Sequence, residues 1–194
     1  MEWKLFDGDV PHVSTFEFHE HRPRAPHLEQ SIHRGRLERA ASYAIESVRG
    51  VDDGFVVDLG CGDGGLLSLL EDAWIPAYGY DFQPTNASGW VERGVNAEAL
   101  NFVDHWHEVQ EATTYVITEV LEHLADPHGM VKRIYDRGAN IVASSPWTEN
   151  NTSHDECHAW AWDMAGYTDM LLTAGFEIHG HSQEGMFQVI WGTQ

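Results

Sequence analysis

Residues 55–65 read FVVDLGCGDGG, and this stretch decides the fold. An apolar run of the strand type ends at Asp58 and is followed by a glycine-rich turn and an apolar helical segment. A strand, a turn and a helix in this order place backbone N–H groups and a helix N-terminus beside any ligand bound there. The sequence therefore predicts a ligand-binding crevice at the end of this strand.

Asp58 decides which kind of ligand fits this crevice. Gly60, Gly62 and Gly65 satisfy the pattern G-x-G-x-x-G, and Asp81 follows about 20 residues later, as in dinucleotide-binding folds. A carboxylate at position 58 would crowd a pyrophosphate, because both groups are negatively charged. It favours instead a ligand that carries an ammonium group.

The segment D-x-G-x-G at residues 58–62 resembles motif I of the class I S-adenosylmethionine (SAM) methyltransferases. The resemblance covers residues 28–191 and implies a three-layer α/β sandwich with helices on both faces. Its sheet would be mostly parallel and seven-stranded, with a C-terminal antiparallel hairpin. The alternation of strand-like and helical segments independently favours a parallel sheet covered on both faces. We expect a single domain, residues 1–194, with an arm or lid at 1–27 and a Rossmann-like core with an N-terminal helix at 28–194.

The resemblance assigns the cofactor SAM and roles around motif I. The turn Gly60–Cys61–Gly62 would bring bare backbone against the methionine moiety, since a Cβ would obstruct it. Asp58 would bind the ammonium group of SAM. Asp81 would accept both ribose hydroxyls, because a carboxylate has two oxygens suited to a vicinal diol.

Further residues are implied for the rest of the cofactor. Phe82 or Tyr80 would lie against the adenine ring, and Asn96 with Ala97, at the end of the next predicted strand, would bind the adenine edge. Arg36 or Arg34, on the N-terminal helix, would meet the SAM carboxylate. Turn formation after a strand is the structural alternative for Asp81 and Asn96, and a helix-surface ion pair is the alternative for Arg36.

ITEVLEHLADPHGMV, residues 117–131, resembles the segment that lines the methyl-transfer pocket in the same superfamily. The spacing of Glu119, Glu122 and His123 predicts that they share one helical face. His158 precedes the last helix, where acceptor-binding loops lie in such enzymes. The candidate catalytic residues are Glu119, His123 and His158. A capping carboxylate and a histidine packed on the sheet are the structural alternative.

Glu119, Glu122, His123 and His158 would also suit a divalent metal such as Mg²⁺, Mn²⁺ or Co²⁺. Terminal-ribose 2′-O-methyltransferases that modify small RNAs use a similar set, so a metal-dependent RNA enzyme is one alternative. The formal net charge of −20 opposes nucleic-acid binding and makes this alternative unfavoured. A non-catalytic SAM-binding module and a nicotinamide dehydrogenase are two others.

The composition is typical of one folded domain. The chain has 194 residues, 42% of them hydrophobic, and no apolar run of membrane-spanning length. Its two cysteines do not make a disulfide framework, so we expect a soluble, cytoplasmic protein. The predicted activity is methyl transfer from SAM to an oxygen, nitrogen or carbon nucleophile of a small-molecule acceptor. The sequence carries no signal for oligomeric state.

Overall fold

A computed structural model describes residues 1–194 of the chain. The nine strands are β1 (Glu2–Lys4), β2 (Val56–Leu59), β3 (Ala77–Asp81), β4 (Ala97–Ala99), β5 (Thr114–Thr118), β6 (Asn140–Pro146), β7 (Trp160–Trp162), β8 (Glu177–Glu184) and β9 (Phe187–Thr193). The six α-helices are α1 (Phe16–His19), α2 (Ser31–Val48), α3 (Gly65–Asp72), α4 (Ala87–Arg93), α5 (Pro127–Asp136) and α6 (Met164–Ala174). None of the helices is long and apolar enough to span a lipid bilayer.

Seven strands form the main sheet in the order β4-β3-β2-β5-β6-β9-β8. The first five are parallel, and β9 runs antiparallel between β6 and β8. This confirms the predicted α/β fold, including the C-terminal antiparallel hairpin.

Alternate residues of the central strands pack on opposite faces of the sheet. Val56 and Val116 join a cluster with α2 and α3 on one face, whereas Val57 and Ile117 join the larger cluster with α5 and α6 on the other. All four are fully buried. A strand buried on both faces is apolar along its whole length, which explains the run of apolar residues that ends at Asp58.

The order of the strands reverses between β2 and β5. From β2 the chain builds outward through β3 to β4, and it then returns to the other side of β2 to add β5 and β6. The turns that leave β2 and β5 therefore diverge and open a crevice at the carboxyl ends of these two strands. Ligands of open α/β sheets bind at such a switch point.

The N-terminal arm, residues 1–27, crosses the carboxyl edge of the sheet. Strand β1 pairs antiparallel with β7, outside the main sheet. Farther along, the Arg24 guanidinium donates to Asp63, and Gln83 donates its amide N–H to the carbonyl oxygen of Arg22 at 3.2 Å. The arm is thus fixed to the core on both sides of the crevice.

Candidate active site

A cavity of about 740 Å³ occupies the switch point. Its lining residues come from the arm, from α2, and from the turns after β2, β3, β4 and β5, with further residues from the loop before β7. This volume lies within the range of about 300–1,000 Å³ that is usual for small-molecule sites. The cavity is continuous from the glycine turn to His123 and His158.

The glycine turn is held in place by β3. The backbone N–H groups of Gly60 and Cys61 donate to the carbonyl oxygen of Tyr80 at 2.7 and 3.1 Å. Gly60 has φ +80°, and a Cβ there would collide with the Val120 side chain. The backbone of the turn therefore lies bare at the cavity wall, as motif I predicted.

Asp81, the last residue of β3, is bonded to the same turn. Its carboxylate accepts from the Gly62 N–H at 2.8 Å, from the Gln83 N–H at 2.7 Å and from the Asn86 amide at 3.1 Å. Burial raises the pKa of Asp81, although these hydrogen bonds oppose the rise. Asp81 lines the cavity, and because Oδ1 already accepts two hydrogen bonds and Oδ2 one, its remaining acceptor capacity for a ligand is on Oδ2.

Asp58 and Arg36 are buried charged residues that line the same cavity. Each side chain is 1% exposed, and Asp58 Oδ1 and Arg36 Nε have no hydrogen-bond partner. Burial raises the pKa of Asp58 to about 7, the negative charge of Asp81 adds to the rise, and Arg36 opposes it. Buried charges without partners are unfavourable, so this pair fits a ligand that carries both an ammonium and a carboxylate group.

Two neutral histidines flank Arg36. The rings of His27 and His33 lie 4.5 Å apart, and Arg36 Nη2 lies 3.4 Å from His33 Nδ1. Burial lowers the pKa of His27 to about 4, and the positive charge of Arg36 contributes to this. No carboxylate lies in direct contact with the Arg36 guanidinium.

Asn96 and Ala97 are not among the residues that line the cavity, which does not support their predicted contact with the adenine edge. Strand β4 begins at Ala97, which pairs with Gly79 in the middle of β3, and Ala99 pairs with Asp81 at its end. Asn96 therefore lies toward the amino end of the parallel sheet, away from the site. The residues that follow β4, Asn101 and Phe102, line the cavity instead.

Phe82 lies at the cavity wall as predicted, and the arm packs against it. The His19 ring lies 5.0 Å from the Phe82 ring and the Phe16 ring 6.0 Å from it. All three residues line the cavity. The arm thus supplies part of the wall beside Phe82, a contribution that no sequence pattern indicated.

Glu119 follows β5 and adopts a left-handed backbone conformation. Its φ is +56°, which is uncommon for a non-glycine residue, and its N–H donates to the carbonyl oxygen of Ser144. The Ser144 hydroxyl donates to Glu119 Oε1 at 2.8 Å. Burial raises the pKa of Glu119, while Arg36 opposes the rise. Glu119 is therefore a carboxyl group held at the cavity wall by backbone and side-chain contacts.

The predicted helical face of Glu119, Glu122 and His123 is not present. The left-handed conformation of Glu119 prevents a regular helix from starting there, and only a 3₁₀ turn, Leu121–His123, follows. Glu122 is fully buried, does not line the cavity, and has no hydrogen-bond partner on either carboxylate oxygen. Burial and the negative charge of Glu119 raise the pKa of Glu122 well above its usual value.

His123 and His158 meet in the cavity with their ring centroids 4.7 Å apart. His123 Nδ1 lies 3.1 Å from the carbonyl oxygen of Cys157, and His158 Nδ1 lies 2.5 Å from Glu149 Oε2. Burial lowers the pKa of His123 to about 3, and the charge of His158 adds to this. Burial also lowers the pKa of His158, but hydrogen bonds to Cys157 and Glu149 outweigh it and raise the pKa to about 11.

The sequence did not predict that Cys157 and Glu149 contact the site histidines. The only group of histidines, cysteines and carboxylates at metal-ligand spacing is His123, Cys157 and His158, and neither Glu119 nor Glu122 belongs to it. The predicted four-residue metal set is therefore not assembled. The sequence signals were weak, because Cys157 is a single cysteine and Glu149 lies nine residues from His158 in an irregular loop.

Comparison with protein families identifies the chain. A family model described as "Methyltransferase domain" matches residues 19–179, most of the chain. The chain belongs to this methyltransferase family. It is a class I SAM-dependent methyltransferase, as motif I predicted. A search of curated protein sequences finds no significant match.

Solved structures with the same fold share little sequence with this methyltransferase. Magnesium protoporphyrin IX methyltransferase from Synechocystis, solved with bound S-adenosylhomocysteine, has a TM-score of 0.66 at 14% identity, over 86% of this chain and 87% of that one. Burkholderia thailandensis 1,6-didemethyltoxoflavin-N1-methyltransferase also has a TM-score of 0.66, at 12% identity, over 86% and 80%. A chain of the complex between the Haloferax volcanii Trm112 methyltransferase activator and a methyltransferase has a TM-score of 0.62 at 17% identity, over 86% and 95%. At these identities the comparisons support the fold alone.

Proposed function

We propose that the protein transfers the methyl group of SAM to an oxygen or nitrogen atom of a small-molecule acceptor. The observation that carries the proposal is the pair of buried charged residues, Asp58 and Arg36, whose Oδ1 and Nε have no hydrogen-bond partner, beside the bare glycine turn. The methionine end of SAM is a zwitterion that matches this pair in sign. An NAD-type ligand would set two phosphates against Asp58, so the dehydrogenase alternative is disfavoured.

The cofactor is assigned to the half of the cavity around β2, β3 and β4. Asp58 binds the ammonium group, Arg36 the carboxylate, and Asp81 the ribose hydroxyls. Phe82 and Asn101 lie where the adenine ring and its edge are expected, because Asn101 follows β4 at the carboxyl end of the sheet. When bound, SAM supplies an electrophilic methyl group on a sulfonium ion.

The acceptor is assigned to the half of the cavity around Glu119, His123 and His158. Apolar side chains of Phe16 and Leu124 line this cavity together with the polar groups. An apolar body with one polar nucleophile suits such a lining. The protein mainly positions the two reactants and excludes water, and these effects supply most of the rate enhancement in such a transfer.

Glu119 is the residue proposed to take the proton of the acceptor. A carboxyl group whose pKa is raised by burial is a stronger base than an exposed one. Its hydrogen bond from Ser144 and the left-handed backbone fix its direction. His123 and His158 hold the acceptor beside it.

Isotope transfer tests the proposal. The enzyme is titrated calorimetrically with S-adenosylhomocysteine and then incubated with methyl-labelled SAM and separate small-molecule, RNA and protein fractions of a lysate. We expect binding, and label in the small-molecule fraction. Label in RNA that is lost with EDTA would support the metal-dependent RNA enzyme instead. Binding without transfer to any fraction would support a non-catalytic module.

A further inference from the structure

We propose that His123, Cys157 and His158 bind a divalent metal ion of the zinc class at the wall of the cavity. One ligand atom from each residue lies within 4.8 Å of the other two. Imidazole nitrogen and thiolate sulfur are preferred ligands of Zn²⁺, at about 2.0–2.3 Å in a tetrahedral shell. The ligand atoms would have to move closer together to complete this shell.

Hydrogen bonds already orient both imidazoles for this role. His123 Nδ1 faces the carbonyl oxygen of Cys157 at 3.1 Å, and His158 Nδ1 faces Glu149 Oε2 at 2.5 Å. Because both partners are acceptors, each Nδ1 donates its proton to its partner, and the metal would bind at Nε2 of each ring, displacing the second proton that His158 carries in the metal-free protein. A carbonyl or carboxylate oxygen behind the second ring nitrogen is typical of metal-binding histidines.

The charges around the three residues favour a cation. Glu149 contacts His158, and the Asp155 carboxylate accepts from the Cys157 N–H at 3.0 Å. Glu122 is fully buried without a hydrogen-bond partner and is an electrostatic neighbour of His158. A divalent ion beside His158 would give these carboxylates a positive counter-charge.

The proposed site differs from the Glu119–Glu122–His123–His158 set that the sequence suggested. The metal would be bound directly by the Cys157 thiolate and not by Glu119 or Glu122. Thiolate and imidazole ligands favour Zn²⁺ or Co²⁺ over Mg²⁺. All three ligands line the cavity, and a three-residue site leaves a fourth position open to it. This fourth position would bind the nucleophilic oxygen or nitrogen of the acceptor, a role that rests on the proposed function.

Cobalt binding tests the site without SAM or acceptor. The reduced, EDTA-dialysed enzyme is titrated with CoCl₂, and absorption is followed in the near-ultraviolet and visible regions. We expect saturation at one equivalent, a thiolate-to-cobalt charge-transfer band, tetrahedral visible bands, and displacement by Zn²⁺. Cys157→Ser removes the charge-transfer band and His158→Asn removes tight binding. Glu149→Gln weakens binding about 10- to 100-fold, because the carboxylate that orients the His158 ring is lost.

Cys61→Ser is the matched control, since Cys61 is the other cysteine of the chain. It should keep the cobalt spectrum unchanged. Each variant is also titrated with S-adenosylhomocysteine, and wild-type affinity in Cys157→Ser shows that the fold and the cofactor half are intact. The proposal is overturned if the wild-type enzyme binds no cobalt, or if Cys157→Ser and His158→Asn bind it as the wild type does. A cobalt site in an enzyme that fails to transfer methyl groups would leave the metal site standing and reject the proposed function alone.

Discussion

The two halves of the cavity are built in different ways. The half around Asp58 and Asp81 comes from neighbouring strands, and its hydrogen bonds join residues at the ends of β2 and β3. The half around Glu119 and His158 is assembled from the arm, the turn after β5 and the loop before β7, which are far apart in the chain. Their charges differ as well. Asp58 Oδ1 and Arg36 Nε have no hydrogen-bond partner, whereas Glu119 and His158 are held by Ser144 and Glu149.

This difference indicates what each half is suited to do. Unpartnered charges are stabilised when a ligand arrives, so the first half gains most of its stabilisation on binding. Groups that are already hydrogen-bonded within the protein are fixed in direction before a ligand arrives, which is what a reacting group requires. Substitutions in the first half should therefore change affinity, and substitutions in the second should change turnover.

The largest effect is expected for Glu119→Gln. This change keeps the shape of the side chain but removes the base, and turnover should fall about 10²- to 10⁴-fold. Affinity for S-adenosylhomocysteine should stay at the wild-type value, because the cofactor half is untouched. Steady-state kinetics with the labelled acceptor fraction and calorimetry give the two numbers. An equal loss of affinity and turnover would place Glu119 in the cofactor half and remove the contrast.

Asp81→Ala should produce the reverse pattern. A hydrogen bond to a carboxylate is worth about 1.5–3 kcal/mol, so loss of the one open acceptor position should lower affinity for S-adenosylhomocysteine about 10- to 100-fold. The free energy of unfolding should also fall by about 1–3 kcal/mol, because the Gly62 and Gln83 N–H groups lose their acceptor. Calorimetry and urea unfolding measure both, with the exposed Asp72→Ala as control. Wild-type affinity in Asp81→Ala would contradict the ribose assignment.

The pH dependence of cofactor binding should report on Asp58. Burial raises its pKa to about 7 in the free protein, and an ammonium group prefers the ionised carboxylate. Affinity for S-adenosylhomocysteine should therefore fall as the pH drops below about 7, by up to about tenfold per pH unit. Calorimetry across this range checks the slope, and Asp58→Asn should flatten it. If the affinity of Asp58→Asn depended on pH as steeply as that of the wild type, a group other than Asp58 would be responsible for the pH dependence.

The same group has the opposite effect on the stability of the ligand-free protein. The folded-state pKa of Asp58 lies above its unfolded value of 3.8, so its favourable contribution is present at low pH and is lost as the pH rises through about 7. Asp58→Asn should therefore raise the free energy of unfolding most at alkaline pH. Urea unfolding at several pH values measures this difference.

The smallest effect concerns backbone strain at Glu119. The substitution Glu119→Gly should remove the strain of φ +56°, but glycine also gives the unfolded chain more conformational entropy. The net result should be a rise in the free energy of unfolding of about 0.5–1 kcal/mol. Turnover should be lost at the same time. Trp74→Gly is the matched control, because Trp74 has φ +59°, is 90% exposed and lies outside the cavity. The free energy of unfolding of Trp74→Gly should rise by a similar amount, and turnover should be unchanged. Each kcal/mol corresponds to a rise of about 2–4 °C in the midpoint of thermal unfolding.

The fold, and the position of the glycine turn at the cavity wall, were predictable because their signals are local. The apolar run before Asp58 marks a strand buried on both faces, and the glycines after it mark a turn. Strand β4 was placed two residues early because Val95–Leu100 contains no glycine or proline to mark its end. Because of this shift, the sequence assigned the adenine edge to Asn96 and not to Asn101.

The acceptor half was only partly predictable because long-range contacts decide it. The spacing of Glu119, Glu122 and His123 fits a helix, and the sequence does not record that Val120 packs against Gly60 or that the Glu119 N–H bonds to Ser144. These contacts impose the left-handed conformation that breaks the helix. The proximity of Cys157 to His123 likewise arises from the fold, because they are 34 positions apart in the chain.

The position of the arm has a kinetic consequence. Ser14 donates to the carbonyl oxygen of Cys157 next to His123, while the backbone of Arg22, eight residues later, is bonded to Gln83 beside Phe82. One short segment therefore contacts the compartments of both reactants, and neither compartment can open widely without disturbing it. The residence time of the spent cofactor should depend on whether the acceptor compartment is filled, which couples product escape to substrate occupancy.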